Sequence, residues 1–158
     1  MSKGDVVAIP ITGREYNGDS RTPGQALAKF YRAFNSQDLV LMQQTWEESN
    51  EVVMDNPLGG IKRTWKEIRE VYERIFASRS PVRVEFYDYT LHEFADVFFA
   101  VGRERPLVEG ANLPIAIRTT RIFHRQPTGE WRLIHHHGSF DDPESLAQYQ
   151  AAIVPSAS

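Results

Sequence analysis

The chain contains no cysteine. Disulfides, cysteine-ligated zinc and thiol nucleophiles are thereby excluded, and a reducing compartment is the expected setting. Nowhere do about 18 apolar residues run together, the length a helix needs to cross a bilayer. The opening MSKGDVVAIPITG has no apolar stretch of the kind a secretory leader carries. Positive charge is not in surplus either: 18 Lys and Arg against 21 Asp and Glu give a formal charge of −3. That balance offers no broad attraction for nucleic acid or anionic lipid. The expectation is a cytoplasmic protein with neither nucleic acid nor membrane as partner.

What is present is ordinary globular composition, 41% hydrophobic and 25% charged over 158 residues, enough for one domain with a real core. No internal repeat is visible. Residues 1–21 mix Gly, Pro, Arg and Asp around the short apolar run from Val6 to Ile9, and read as an arm. A domain is expected over 22–152 and a tail over 153–158.

Thr22-Pro23-Gly24-Gln25 has the form of a capping box with proline in the first turn. Leu27, Phe30, Tyr31 and Phe34 then follow at helical spacing. A second short helix is expected from about Asp38, with Leu39, Met42 and Trp46 on one side. Glu51 to Met54 reads as a brief extended piece that stops at Asp55-Asn56-Pro57 and Gly59-Gly60. Thr64-Trp65-Lys66-Glu67 opens a third helix that buries Trp65, Ile68, Tyr72, Ile75 and Phe76. After Ser80-Pro81 the period switches to alternation. Four strands are expected, over Val82–Phe94, Asp96–Glu104, Leu113–Arg125 and Glu130–Phe140, and a last short helix from Asp142. Helices followed by a long antiparallel meander predict an α+β fold, with three N-terminal helices packed on a curved sheet.

Strand parity supplies the functional clue. Ile115, Ile117, Thr119, Arg121 and Phe123 share one face of their strand, and Val97, Phe99, Val101 and Arg103 share one face of theirs. If both apolar rows face the helices, each ends in an inward arginine. A guanidinium in such a setting needs a partner. That partner could be a structural carboxylate such as Asp55 or Glu104; two arginines on neighbouring rows would also suit a bound carboxylate or similar anion.

His135, His136 and His137 alternate along the last strand. His135 and His137 could begin a metal site, but a site normally takes three or more ligands and no third is evident, so no metal is expected. A structural or interface role suits that pair. His136 is the better candidate for an acid or base in a pocket, unless a bulge exchanges it with its neighbours.

The succession of the capped helix, "YRAFNSQDL", "VVMDNPLGG" and a meander ending "WRLIHHHGS" resembles the SnoaL-like group of the nuclear-transport-factor-2-like superfamily, over residues 22–150. The resemblance implies a cone-shaped fold, a pocket between helices and sheet, and a homodimer, formed here through the outer sheet face. Ketosteroid isomerases of this superfamily carry a carboxylate base before the proline of a similar loop, a tyrosine on the first helix and an acid on a later strand. Aligned on Pro57, this chain has Asn56 at the base position with Asp55 beside it, Phe30 at the helix position with Tyr31 beside it, and no acid near Thr119 or Thr120. The chain is also similar to the association domain of calcium/calmodulin-dependent protein kinase II through Thr120–Arg125 and Gly129–His137. That resemblance implies a pocket for small carboxylates lined by Arg121 and Arg103, with Gly138 where a third arginine falls.

The resulting expectation is a cone pocket for a small, partly apolar, anionic molecule. Arg103 and Arg121 would hold the anion, Tyr31, Trp65 and Phe99 would form the wall, and Asn56 would lie beside it. Asp55 and His136 would be the only groups able to move protons, in a cofactor-free isomerisation, dehydration or related step. The alternative is a non-catalytic dimerisation or ligand-sensing module whose arginines are paired internally.

Overall fold

A computed structural model describes residues 5–79, 81–107, 115–140 and 143–153. Helix α1 (Pro23–Asn35) starts as its sequence dictates: Thr22 Oγ1 accepts a hydrogen bond from the Gln25 amide at 3.3 Å, and Pro23 occupies the first turn. Its stripe of Leu27, Phe30 and Tyr31 is fully buried, with Phe34 packed at the margin. Helix α2 (Leu39–Thr45) is capped by Asp38, which accepts from the Leu41 amide at 2.9 Å. In α3 (Thr64–Phe76) only half of the expected capping box forms. Glu67 accepts from the Arg63 amide at 2.7 Å, but Thr64 is the first helical residue, with φ at 67°, and caps nothing. A fourth helix, α4 (Pro143–Ala152), follows the sheet; Asp142, its expected start, lies outside the described residues.

The apolar faces of α1 to α3 lie on one side of a six-stranded sheet. Its strands are β1 (Val53–Asp55), β2 (Ile61–Arg63), β3 (Val84–Glu93), β4 (Val97–Pro106), β5 (Ile117–Arg125) and β6 (Trp131–Phe140), in the order β2-β1-β6-β5-β4-β3. The long meander is as expected, although Leu113, expected to open β5, lies outside the described residues. The turn after β1 sends the chain back as β2, so the sheet gains two short strands. β1 runs parallel to β6, and every other pairing is antiparallel. The arm lies along β3, with Val7 bridged to Tyr89 and Ile11 to Phe86. Gly13, at φ 95°, lets it touch α1, because a Cβ there would come 2.4 Å from the Arg32 amide nitrogen.

Two bulges set which side chains point inward. On β3 the register shifts between Tyr87 and Thr90, with Asp88 at φ 50°, and the buried row passes from Val84 and Phe86 to Tyr89. On β6 the shift opposite Ile122 and Phe123 moves the row from Trp131 and Leu133 to His136 and Gly138.

The inward row of β4 is Phe98, Ala100, Gly102 and Glu104, not the row of Val97, Phe99, Val101 and Arg103. The reason is volume. Phe86 and Tyr89 of the neighbouring strand lean across β4, and a Cβ on Gly102 would meet Tyr89 Cβ at 2.5 Å. Only small residues fit beneath them, which leaves the larger apolar row outside. No helix among the described residues is long and apolar enough to cross a membrane.

Candidate functional site

On the inner side of the sheet, Arg121 of β5 and Glu104 of β4 lie in the core at 1% and 5% exposure. Arg121 Nη2 approaches Glu104 Oε2 at 3.5 Å, and Arg121 Nε donates to the Tyr31 hydroxyl at 3.4 Å. The guanidinium lies 3.8 Å over the ring of Phe30, a favourable cation–π contact. Glu104 is held from the other side by the Thr119 hydroxyl at 2.8 Å. The charge pair is therefore compensated, but its contacts do not exhaust the donors: Arg121 Nη1 has no hydrogen-bond partner among the described residues.

Around this pair is a small cavity of about 30 Å³, the space of a water molecule. Phe30, Met54, Ile117 and Tyr149 supply apolar wall, and Asn56, Glu104, Arg121 and His136 the polar lining. Neither ring nitrogen of His136 finds a partner among the described residues, and the Tyr72 hydroxyl, beside the indole N–H of Trp46, has no acceptor there for its own proton. Burial, reinforced by the nearby Arg121 charge, holds the His136 pKa well below 6.5, so the imidazole is neutral. Burial likewise pushes Tyr31 well above 10, so it remains a phenol. Asn56 has a turn role as well, since its Oδ1 accepts from the Leu58 amide at 2.8 Å.

The structure thus brings Arg121, Tyr31, Asn56 and His136 together and separates them from the other expected site residues. Arg103 is on the outer face, where Nε contacts Asp88 Oδ2 at 3.2 Å. Its expected place beside Arg121 is corrected by the β4 parity, and Glu104 stands there instead. Phe99, from the same outer row, stacks on His92 at 4.5 Å. Asp55 also faces outward, next to His137, while its neighbour Met54 faces in. The expected proton-transfer pair of Asp55 and His136 is therefore split across the sheet. Trp65 is partly buried at a separate cleft with Glu47, Ser49 and Lys66. Gly138 is buried on the inner row but lines a separate hollow with Asn56, Pro57 and Phe140, and a Cβ there would press on His136 Nε2 at 3.0 Å. Of the two carboxylates expected as structural partners for an inward arginine, Glu104 takes that role with Arg121 and Asp55 does not. Sequence reasoning missed Tyr72 and Tyr149 as cavity residues and did not turn Glu104 inward. Glu104 was within reach, because the row Phe98, Ala100, Gly102 is also free of charge.

On the outer face, Asp88, Arg103, Arg118, Thr120, His135 and His137 line an open groove of about 680 Å³. The sheet therefore presents two distinct surfaces, a nearly closed interior and a broad charged exterior.

The profile of the SnoaL-like domain matches residues 24–143, which include all six strands and every lining residue of the Arg121 cavity except Tyr149. The chain belongs to the SnoaL-like domain family. No curated protein matches it. Solved structures give the SnoaL-like chain its fold relatives. One, from Thiobacillus denitrificans, is assigned as a calcium/calmodulin-dependent protein kinase type II association domain; it is 21% identical, with a TM-score of 0.69 over 80% of this chain and 100% of that one. A protein from Streptomyces avermitilis, assigned as a dehydratase of the nuclear-transport-factor-2-like family, gives 21% identity and a TM-score of 0.64 over 76% and 94%. One from Shewanella frigidimarina, assigned as a ketosteroid isomerase, gives 15% and 0.63 over 77% and 96%. At these identities the likeness establishes the α+β cone fold and no activity.

A pH dependence of stability follows from His136. Its folded pKa lies below the 6.5 of the free side chain, so below pH 6.5 the unfolded chain binds a proton that the folded chain refuses. Its contribution is fully present above that pH and declines as pH falls, by at most about 1.4 kcal/mol per pH unit for one proton. Urea unfolding of the wild type and of His136→Gln at pH 7.5 and 5.5 checks this. The variant should lose less stability between the two pH values than the wild type.

Proposed function

We propose that this SnoaL-like domain is a binding module whose inner cavity receives a small, partly apolar molecule through an oxygen acceptor directed at Arg121. The observation that carries the reading is the concentration on one cavity of polar groups that lack a hydrogen-bond partner among the described residues: Arg121 Nη1 and both nitrogens of His136, with the Tyr72 hydroxyl proton beside them. Buried polar groups are normally hydrogen-bonded, and each exception costs about 1–3 kcal/mol. A water in the cavity answers part of that demand, and a carbonyl oxygen with an apolar body answers it while also filling the apolar wall.

Glu104 already balances the Arg121 charge, so the cavity asks for an acceptor rather than for net negative charge. That refines the expected anion into a carbonyl-bearing molecule, neutral or acidic. Space is the constraint. The open volume is water-sized, and a larger guest has to displace Tyr149 of α4, a helix packed chiefly on β6. The separation of Asp55 from His136 removes the support for two-group proton transfer and favours binding over isomerisation or dehydration.

The outer face over β3 to β5 is the surface we assign to a second copy of the chain. Val101 is exposed there, and Phe99 and Ile122 are only partly covered, a set that a facing sheet would bury. Sedimentation velocity should give a particle of twice the 18.1 kDa chain mass; a monomer at micromolar concentration would exclude the dimer.

A thermal-shift panel tests the cavity. Acetate, propionate and benzoate are run beside acetamide, propionamide and benzamide, on wild type, on Tyr72→Phe and on the charge-neutral double variant Arg121→Met/Glu104→Leu. A ligand of the folded state raises the midpoint with dose. Dose-dependent shifts are expected with neutral as well as acidic members, weakened in Tyr72→Phe and absent from the double variant. No shift in the wild type, or equal shifts in the double variant, would overturn the reading.

A further inference from the structure

Three consecutive histidines leave only two on any one face of a strand, so the sequence offered half of a metal site. The parallel pairing of β1 with β6 supplies what was missing. It sets Val53 beside His135 and Asp55 beside His137, so that Asp55, His135 and His137 project from the same, outer face. One candidate ligand atom from each lies within 4.8 Å of the others.

We propose that Asp55, His135 and His137 form a binding site for a divalent transition-metal cation of the zinc type on the outer face of the sheet.

Four features argue for it. First, the spacing is close to what the ion requires. Bonds of about 2.0–2.1 Å in a tetrahedral site put neighbouring ligand atoms about 3.3 Å apart, and His137 Nδ1 is 3.5 Å from Asp55 Oδ2. The wider separations close by side-chain rotation, which the 58% exposure of His137 permits.

Second, His135 is already oriented. Its Nδ1 lies 2.9 Å from the Val53 carbonyl oxygen. A carbonyl can only accept, so Nδ1 carries the proton and Nε2 presents its lone pair. A second-shell carbonyl that fixes tautomer and ring direction is what metal-ligating histidines use. Here the carbonyl and the ligand Asp55 come from the same three-residue strand.

Third, the donor set selects the cation. Two imidazoles and one carboxylate suit zinc and its first-row neighbours cobalt, nickel and iron(II), whereas calcium and magnesium want oxygen alone. Fourth, among the described residues the only ion pair of His137 or Asp55 is their long mutual contact, and the other histidine–carboxylate pair, His124 with Glu47, belongs to β5 and the segment after α2. Three protein ligands leave at least one coordination position for water.

The proposal concerns the outer face and is independent of the cavity reading. It is tested on the full-length, untagged chain, stripped with chelator and dialysed. Cobalt(II) titration followed by visible absorption, and zinc(II) competition against a chromogenic indicator, give stoichiometry and affinity. One metal per chain is expected, with affinity reduced about tenfold or more in each of Asp55→Asn, His135→Gln and His137→Ala, and unchanged in His124→Ala. If His135→Gln disturbs β1, the exposed His137→Ala and the near-isosteric Asp55→Asn carry the test, with circular dichroism confirming their fold. Absence of saturable binding up to millimolar metal would overturn the proposal. So would stoichiometric binding that survives Asp55→Asn and His137→Ala, because the ion would then be bound elsewhere.

Discussion

A guanidinium and a carboxylate face each other in the core of this domain, and much of the interior is organised around them. Arg121 and Glu104 stand on adjacent strands beneath α1. Each is tolerable there only because the other is present, since taking either charge out of water alone costs several kcal/mol. The pair requires Phe30 and Tyr31 of α1 above it, Thr119 beside Glu104, and a parity of β4 that turns residue 104 inward. That same parity turns Arg103 outward. One register choice thus decides both what the interior can bind and what the exterior displays.

The parts of the fold legible in the sequence were those set by local chemistry. Thr22 and Pro23 announced α1, and the alternation through Ile115 to Phe123 placed Arg121 correctly. What stayed hidden was set by neighbours in space. Both rows of β4 are apolar, and only the bulk of Phe86 and Tyr89 leaning over Gly102 decides which one is inside. Two bulges, one at Asp88 and one before His135, reverse parity within a strand without any proline or glycine to mark them. Because of the second bulge, His136 shares a face with Trp131 and Leu133, against simple alternation. The parallel contact of β1 with β6 joins residues some eighty positions apart, and no local pattern foretells it.

Proteins on this frame are assigned as an association domain, a dehydratase and a ketosteroid isomerase. The differences lie in which side chains the frame sends to each face. Here the interior has one compensated charge pair and several polar atoms still in want of a partner, a composition that suits reception of a polar guest more than acid–base work. The exterior gathers charged and imidazole side chains along a groove. The binding proposed inside and the association and metal capture proposed outside therefore rest on different side chains, accessible to separate substitutions.

The central claim is that Arg121 and Glu104 are held as a mutually dependent buried pair. A double-mutant cycle on stability tests it most directly, with Arg121→Met, Glu104→Leu and both together unfolded in urea at neutral pH. The account predicts a loss of about 3–5 kcal/mol for either single change, because each strands the opposite charge, and a smaller loss for the double than for either single. Losses that simply add, with the double variant the least stable of the three, would contradict it.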